Sequence, residues 1–134
     1  MSTILVDTNV IINAPALASL MSAHRVKASL ITRGELVFGV RRAERSGNAQ
    51  AAKMRRLVID TLDNRRAGFW LPFDHACTES YGMLADVAHS AAPAKARSKD
   101  ALIAATAHAY GLPLYTSNIK DFQVFGELIS VVKV

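Results

Sequence analysis

The sequence predicts an α/β fold with a mainly parallel central β-sheet flanked by α-helices, and three observations predict it. A short β-branched, apolar run from Thr3 to Val6 ends abruptly in Asp7-Thr8-Asn9, the pattern of a buried strand passing into a turn or helix start. Further strand-like runs then alternate with segments of helical periodicity, as βαβ architectures require. Near the end, an alanine-rich segment from Ser98 to Tyr110 is stopped by Gly111-Leu112-Pro113 and followed at once by another strand candidate, Leu114 to Thr116.

The elements follow in order. After Asp7 a helix begins, which Pro15 interrupts or restarts. Val26 to Ile31 is the second strand, and Thr32-Arg33-Gly34-Glu35 has the spacing of a capping box opening a helix to about Arg45. That reading puts Glu35 in a first helical turn. From Ala49 to Arg66, Met54, Leu57, Val58 and Leu62 recur at helical spacing, with Lys53, Arg56, Asp60 and Asp63 on another face. Phe69 to Phe73 is a short strand, and Asp74 caps a helix that fades before Pro93. In the alanine-rich helix, Ile103, Ala104 and Ala107 form one stripe, and five alanines permit close approach to a sheet. Ile129 to Val134 is the last strand.

At 134 residues and 51% apolar composition, the chain is long enough to bury a core without a disulfide frame or a structural metal. No repeat, linker or low-complexity run divides it, so residues 1–134 read as one domain. A net charge of +5 favours polyanionic partners. The single cysteine, Cys77, suits a reducing compartment. The uncharged stretch from Thr8 to Ala23 contains Asn9, Asn13 and Pro15 and lacks a basic leader, so it reads as neither signal peptide nor membrane span. The expectation is a soluble, cytoplasmic protein with no membrane partner.

The acidic residues fall in a telling pattern. Asp7 lies just past the first strand, Glu35 at the start of the next helix, and Asp100 at the start of the alanine-rich helix. In a parallel sheet, helices that follow strands begin at the carboxyl rim. From Asp100, about eleven helical residues carry the chain ~16 Å from that rim. The returning strand brings it back by Asn118, with Asp121 a short turn later. Asp7, Glu35, Asp100 and the Asn118/Asp121 pair are therefore expected to converge. Singly, each has a structural reading as a cap or turn former. Jointly, clustered carboxylates repel unless a cation neutralises them. Carboxylates plus an amide oxygen, without cysteine or a spaced histidine pair, suit Mg²⁺ or Mn²⁺ better than Zn²⁺.

Other motifs fail on detail. Gly34 and Gly39 have phosphate-loop spacing, but Val40-Arg41 stands where Lys-Ser/Thr is required. His75-x-Cys77 lacks the glutamate and later cysteine pair of a zinc deaminase. Nine basic residues lie from Arg33 to Arg66 and none from 67 to 92, an asymmetry that would make a basic lip beside an acidic site. Lys95, Arg97 and Lys99, directly before Asp100, are the candidates to hold phosphates. Thr8 and Thr116 are candidates to orient water or phosphate, or else simply cap strand ends.

Val6-Asp7-Thr8-Asn9-Val10, Glu35 within Thr32 to Leu36, Asp100 to Ala107, and Thr116-Ser117-Asn118 with Asp121-Phe122 together resemble the motif set of PIN domains. Size and the lack of an appended domain most resemble VapC-like toxins of VapBC toxin-antitoxin modules. The likeness spans essentially the whole chain. It implies a Mg²⁺- or Mn²⁺-dependent endoribonuclease that cuts structured RNA, tRNA or rRNA, thereby inhibiting translation. It also implies a cognate VapB-type antitoxin and a homodimer. Carried over by position, Asp7, Asp100 and Glu35 are the metal ligands. Asn118 stands where some members have Asp, leaving Asp121 as the alternative fourth acid. Two readings from other classes compete: a non-cleaving RNA-binding translation inhibitor, and a metal-dependent phosphatase of small esters.

Overall fold

The structure is a computed structural model that describes residues 1–65 and 67–134. Arg66, one of the nine basic residues noted above, lies outside the described residues. The elements run β1 (Thr3–Val6), α1 (Thr8–Ile11), α2 (Ala14–Ala23), β2 (Arg25–Ser29), α3 (Leu30–Arg45), α4 (Ala49–Asp63) and β3 (Trp70–Leu71). There follow α5 (His75–Ala91), α6 (Pro93–Ala96), α7 (Lys99–Tyr110), β4 (Leu114–Thr116), a 3₁₀ segment (Ile119–Leu128) and β5 (Val131–Lys133).

The strands pair in the order β3-β2-β1-β4-β5, and every described pairing is parallel. β1 is thus central, and its residues alternate between two buried layers. Ile4 and Val6 face one core with Val26, Ala28 and residues of α1 to α4, while Leu5 faces the other with Leu114, α5, α7 and the 3₁₀ segment. A strand covered on both faces must be apolar throughout, and Ile4, Leu5 and Val6 are each at most 1% exposed. The alanines of α7 at 101, 104, 105 and 107 are fully buried, which is the close approach their small size allows.

Two expectations about helices are corrected. Helix α3 begins earlier than the capping-box reading, at Leu30, because Ser29 is its cap and its hydroxyl accepts from the Ile31 amide at 3.0 Å. Thr32 and Glu35 therefore lie inside the helix, and the Glu35 carboxyl is released from capping duty. Helix α4 turns inward a stripe that shares only Leu62 with the expected one. Ala52, Ile59 and Leu62 are buried against α3, while Met54, Leu57 and Val58 are 56%, 57% and 39% exposed. Both stripes have helical spacing, and the partner helix decides between them. Elsewhere, Asn13 caps α2 with Pro15 in its first turn, Asp74 caps α5, and Gly111 ends α7 at φ 65°, as the residue types demand.

Candidate functional site

The strand order reverses direction between β1 and β4: the chain lays β2 and β3 on one side of β1, then β4 and β5 on the other. Outside the carboxyl ends of the strands at such a reversal, the flanking helices diverge and leave a crevice. Asp7, one residue past β1, sits there beside Thr116, the last residue of β4. Asp7 is 4% exposed. Its Oδ2 accepts from the Thr116 hydroxyl at 2.6 Å, and its Oδ1 accepts from the Val10 amide at 3.2 Å, capping α1. Thr116 Oγ1 in turn accepts from the Asn118 amide at 3.0 Å.

The other acids join the same rim. Asn118 donates through Nδ2 to Asp121 Oδ2 at 2.9 Å. The Lys95 ammonium donates to Asp100 Oδ2 at 2.6 Å and reaches Asp121 Oδ1 at 3.4 Å. On the far side of Asp7, the Thr8 hydroxyl donates to Glu35 Oε1 at 2.7 Å and lies 3.2 Å from the buried Thr32 hydroxyl. Glu35 Oε2 is 3.3 Å from the Lys99 ammonium. Contacts through Thr116, Asn118, Asp121 and Lys95 thus link Asp7 to Asp100, while Glu35 adjoins through Thr8. Thr116 and Thr8 orient carboxylates directly; Thr32, which the capping-box reading misassigned, supports Thr8 from within α3.

Burial pushes the Asp7 carboxyl above its usual range, against the hydrogen bonds from Thr116 and Val10, and the charge of Asp100 pushes it further. Asp7 and Asp100 therefore share one electrostatic site. For Lys95, burial pulls the ammonium downward, but the hydrogen bond it donates to Asp100 and the charges of Asp100 and Asp121 outweigh it and hold the group above its ordinary value. Among the described residues, no three His, Cys, Asp or Glu side chains come close enough together to hold one ion. The donor set is nonetheless that of a hard cation. Mg²⁺ characteristically takes one or two protein carboxylates and completes its shell with water and substrate phosphate, and the oxygen donors of this rim are of that chemical kind.

The cations are distributed differently from expectation. Arg41, Arg42 and Arg45 lie at the far end of α3, and ten residues of helix, about 15 Å, separate Arg45 from Glu35. These three form a basic end of the helix hairpin away from the acids, whereas Arg55 of α4 lines a groove together with Thr8 and Glu35. Lys95 and Lys99 do reach the rim, but each is engaged by a carboxylate.

Comparison with protein families is decisive at this point: the PIN domain model matches residues 4–128. The chain belongs to the PIN-domain family. PIN domains are generally nucleases and typically use divalent metal ions, in keeping with an acidic rim at a sheet's carboxyl edge. No curated protein matches the chain. Among solved structures, VapBC2 from Rickettsia felis bound to a promoter DNA fragment is similar, with 22% identity, TM-score 0.76 and 98% coverage of both chains. VapBC-5 from Mycobacterium tuberculosis, a member of the VapBC family of toxin-antitoxin systems, has 22% identity, TM-score 0.73 and coverage of 100% of this chain and 98% of that one. FitAcB from Neisseria gonorrhoeae has 27% identity, TM-score 0.69 and coverage of 96% and 95%. The first two likenesses are of fold, and all three extend over nearly the whole PIN domain.

Proposed function

We propose that this PIN domain is a VapC-type toxin: a Mg²⁺- or Mn²⁺-dependent endoribonuclease of the cytoplasm that cuts structured RNA, tRNA or rRNA, and is neutralised by a VapB-type antitoxin. The observation that carries the reading is the buried Asp7 carboxylate at the β1/β4 crevice, held by Thr116 and raised chiefly by its burial, with the charge of Asp100 adding to it. A carboxylate kept in a costly, oriented state beside a second one is suited to receive a cation.

In this reading Asp7 and Asp100 hold the ion, with Glu35 as the third acid. A bound divalent ion supplies positive charge to a phosphodiester oxygen and acidity to water. The protein does the rest by position. Thr116 fixes the Asp7 oxygens, Thr8 fixes Glu35 at the edge of the crevice, and Asn118 holds Asp121 in place. In the same reading Glu35, held through Oε1 by Thr8, orients an attacking water, whereas Asp121 serves as the acid of the fourth motif. No side-chain nucleophile is needed.

The antitoxin reading is supported by an exposed apolar groove of about 490 Å³ between α1, α3 and α4. Ile11, Ile12, Leu36, Met54 and Val58 line it, and it runs up to Thr8 and Glu35. Exposed apolar surface continuous with a polar site marks a protein interface more often than a free surface.

The test is RNA cleavage by the purified protein with Mg²⁺ or Mn²⁺, mapped by sequencing the new RNA ends. Asp100→Asn should reduce cleavage at least 100-fold, of the order expected for a lost ligand of a catalytic ion, with circular dichroism unchanged. Translation inhibition that survives Asp100→Asn without metal would instead mean binding without cutting. Release of phosphate from small esters without RNA cleavage would mean a phosphatase.

A further inference from the structure

Three cations precede Asp100, and they are not equivalent. Arg97 is exposed, and among the described residues it enters no ion pair. Lys99 has a side chain 64% exposed and a single contact at 3.3 Å. Lys95 alone is mounted. Its carbonyl accepts from the Ser98 hydroxyl at 2.8 Å, and the neighbouring Ala96 carbonyl accepts from Tyr81 of α5 at 3.1 Å. Ala96 is buried, so the one-turn helix α6 is fixed from both sides. From that mount the side chain, 29% exposed, bridges Asp100 of α7 and Asp121 of the 3₁₀ segment through its ammonium.

Bridging two carboxylates from separate elements is what a divalent ion would do at the same rim. An ammonium 2.6 Å from Asp100 Oδ2 and a divalent ion on the same carboxylate repel each other and compete for its lone pairs, so each weakens the hold of the other. We propose that Lys95 is a tethered counterion of the acidic rim, holding Asp100 and Asp121 when no divalent ion is bound and displaced from Asp100 when one binds. The proposal rests on the reading that Asp100 holds the ion. Its consequence is a built-in threshold: the ion must outcompete an attached cation, so the apparent dissociation constant is raised by the occupancy of the lysine pair. The same pair keeps the rim from repelling itself in the ion-free protein.

The experiment is a Mn²⁺ titration of the purified, RNA-free protein, following the free Mn²⁺ signal by electron paramagnetic resonance, with thermal melts in EDTA and in saturating Mn²⁺. Lys95→Gln should bind Mn²⁺ roughly five-fold more tightly, the scale of a partly exposed ion pair, and melt lower than the parent in EDTA, the gap closing with Mn²⁺. Arg97→Gln removes the same charge two residues away without removing an occupant, and should stay within about two-fold of the parent. Lys95→Arg, which retains a cation and guards against misfolding of the glutamine variant, should also stay within about two-fold. Equal tightening in Lys95→Gln and Arg97→Gln would reduce the effect to general electrostatics and overturn the proposal, as would unchanged or weaker binding in Lys95→Gln. Asp100→Asn separates the two layers: if it leaves Mn²⁺ affinity intact, the metal-site reading itself fails. If it abolishes binding while Lys95→Gln changes nothing, only the counterion is lost.

Discussion

Asp7 carries the sharpest tension between stability and function in this chain. Its carboxyl is buried, hydrogen-bonded through both oxygens and raised above its ordinary value chiefly by desolvation. A carboxyl with a raised folded-state value favours folding less once ionised, so the penalty is absent below its unfolded value, near 3.8, and grows as pH rises through the folded one. Asn can keep both local contacts, accepting from Val10 and donating to Thr116. Asp7→Asn should therefore melt about 2–4 °C higher than the parent at pH 7 in EDTA, with the gain vanishing near pH 3.5. A lower melting temperature at pH 7 would show that the hydrogen bonds to the charged form outweigh its burial.

At the scale of elements, a second carboxylate has the opposite sign. Asp63, at the end of α4, accepts from Arg33 of α3 through Nε at 3.0 Å and Nη2 at 2.7 Å, and from the Trp70 indole of β3 at 2.7 Å. The Arg33 hydrogen bond holds its carboxyl below the usual range. Stability from this clasp is thus present above the unfolded value near 3.8 and is lost as pH falls through the folded one. At pH 7, Asp63→Asn should cost about 1 kcal/mol, the upper range for a partly exposed bidentate pair, and the two proteins should converge in denaturant melts near pH 3. Equal stability at both pH values would mean that the pair adds nothing beyond packing. The clasp explains why α4 and β3 stay in place although β3 has only two residues. None of it was legible from sequence, since Asp63 read as one charge on a solvated face.

For the whole molecule, the exposed stripe of α4 and the groove beside Glu35 make one apolar surface next to the acidic rim. If the antitoxin of the proposed module covers that groove, a charge at its centre should block assembly without touching the core. Met54, 56% exposed, is the position to change. Met54→Glu should leave the melting temperature within about 2 °C and reduce co-purification of the co-expressed antitoxin at least ten-fold, while RNA cleavage by the free protein persists. Undiminished co-purification would move the partner to another face.

The same scale separates what is written locally from what is not. The β1 run, the capping aspartate of α5, the Gly111-Leu112-Pro113 stop and the small residues of α7 are all short-range signals, and the fold class followed from them, because side-chain periodicity is a property of a few consecutive residues. Asp7 and Asp100 fell at helix starts for the same reason, whereas Glu35 lies more than a turn inside α3, because Ser29 and not Thr32 caps that helix. Tertiary structure alone decided the rest. Thr116 meets Asp7 across 109 positions of chain, Thr8 meets Glu35 across 27, and Lys95 meets Asp121 across 26. Such contacts depend on which strands are neighbours and on which of two equally periodic stripes a helix turns inward. Those choices are made by the packing of the whole chain, and no local pattern records them.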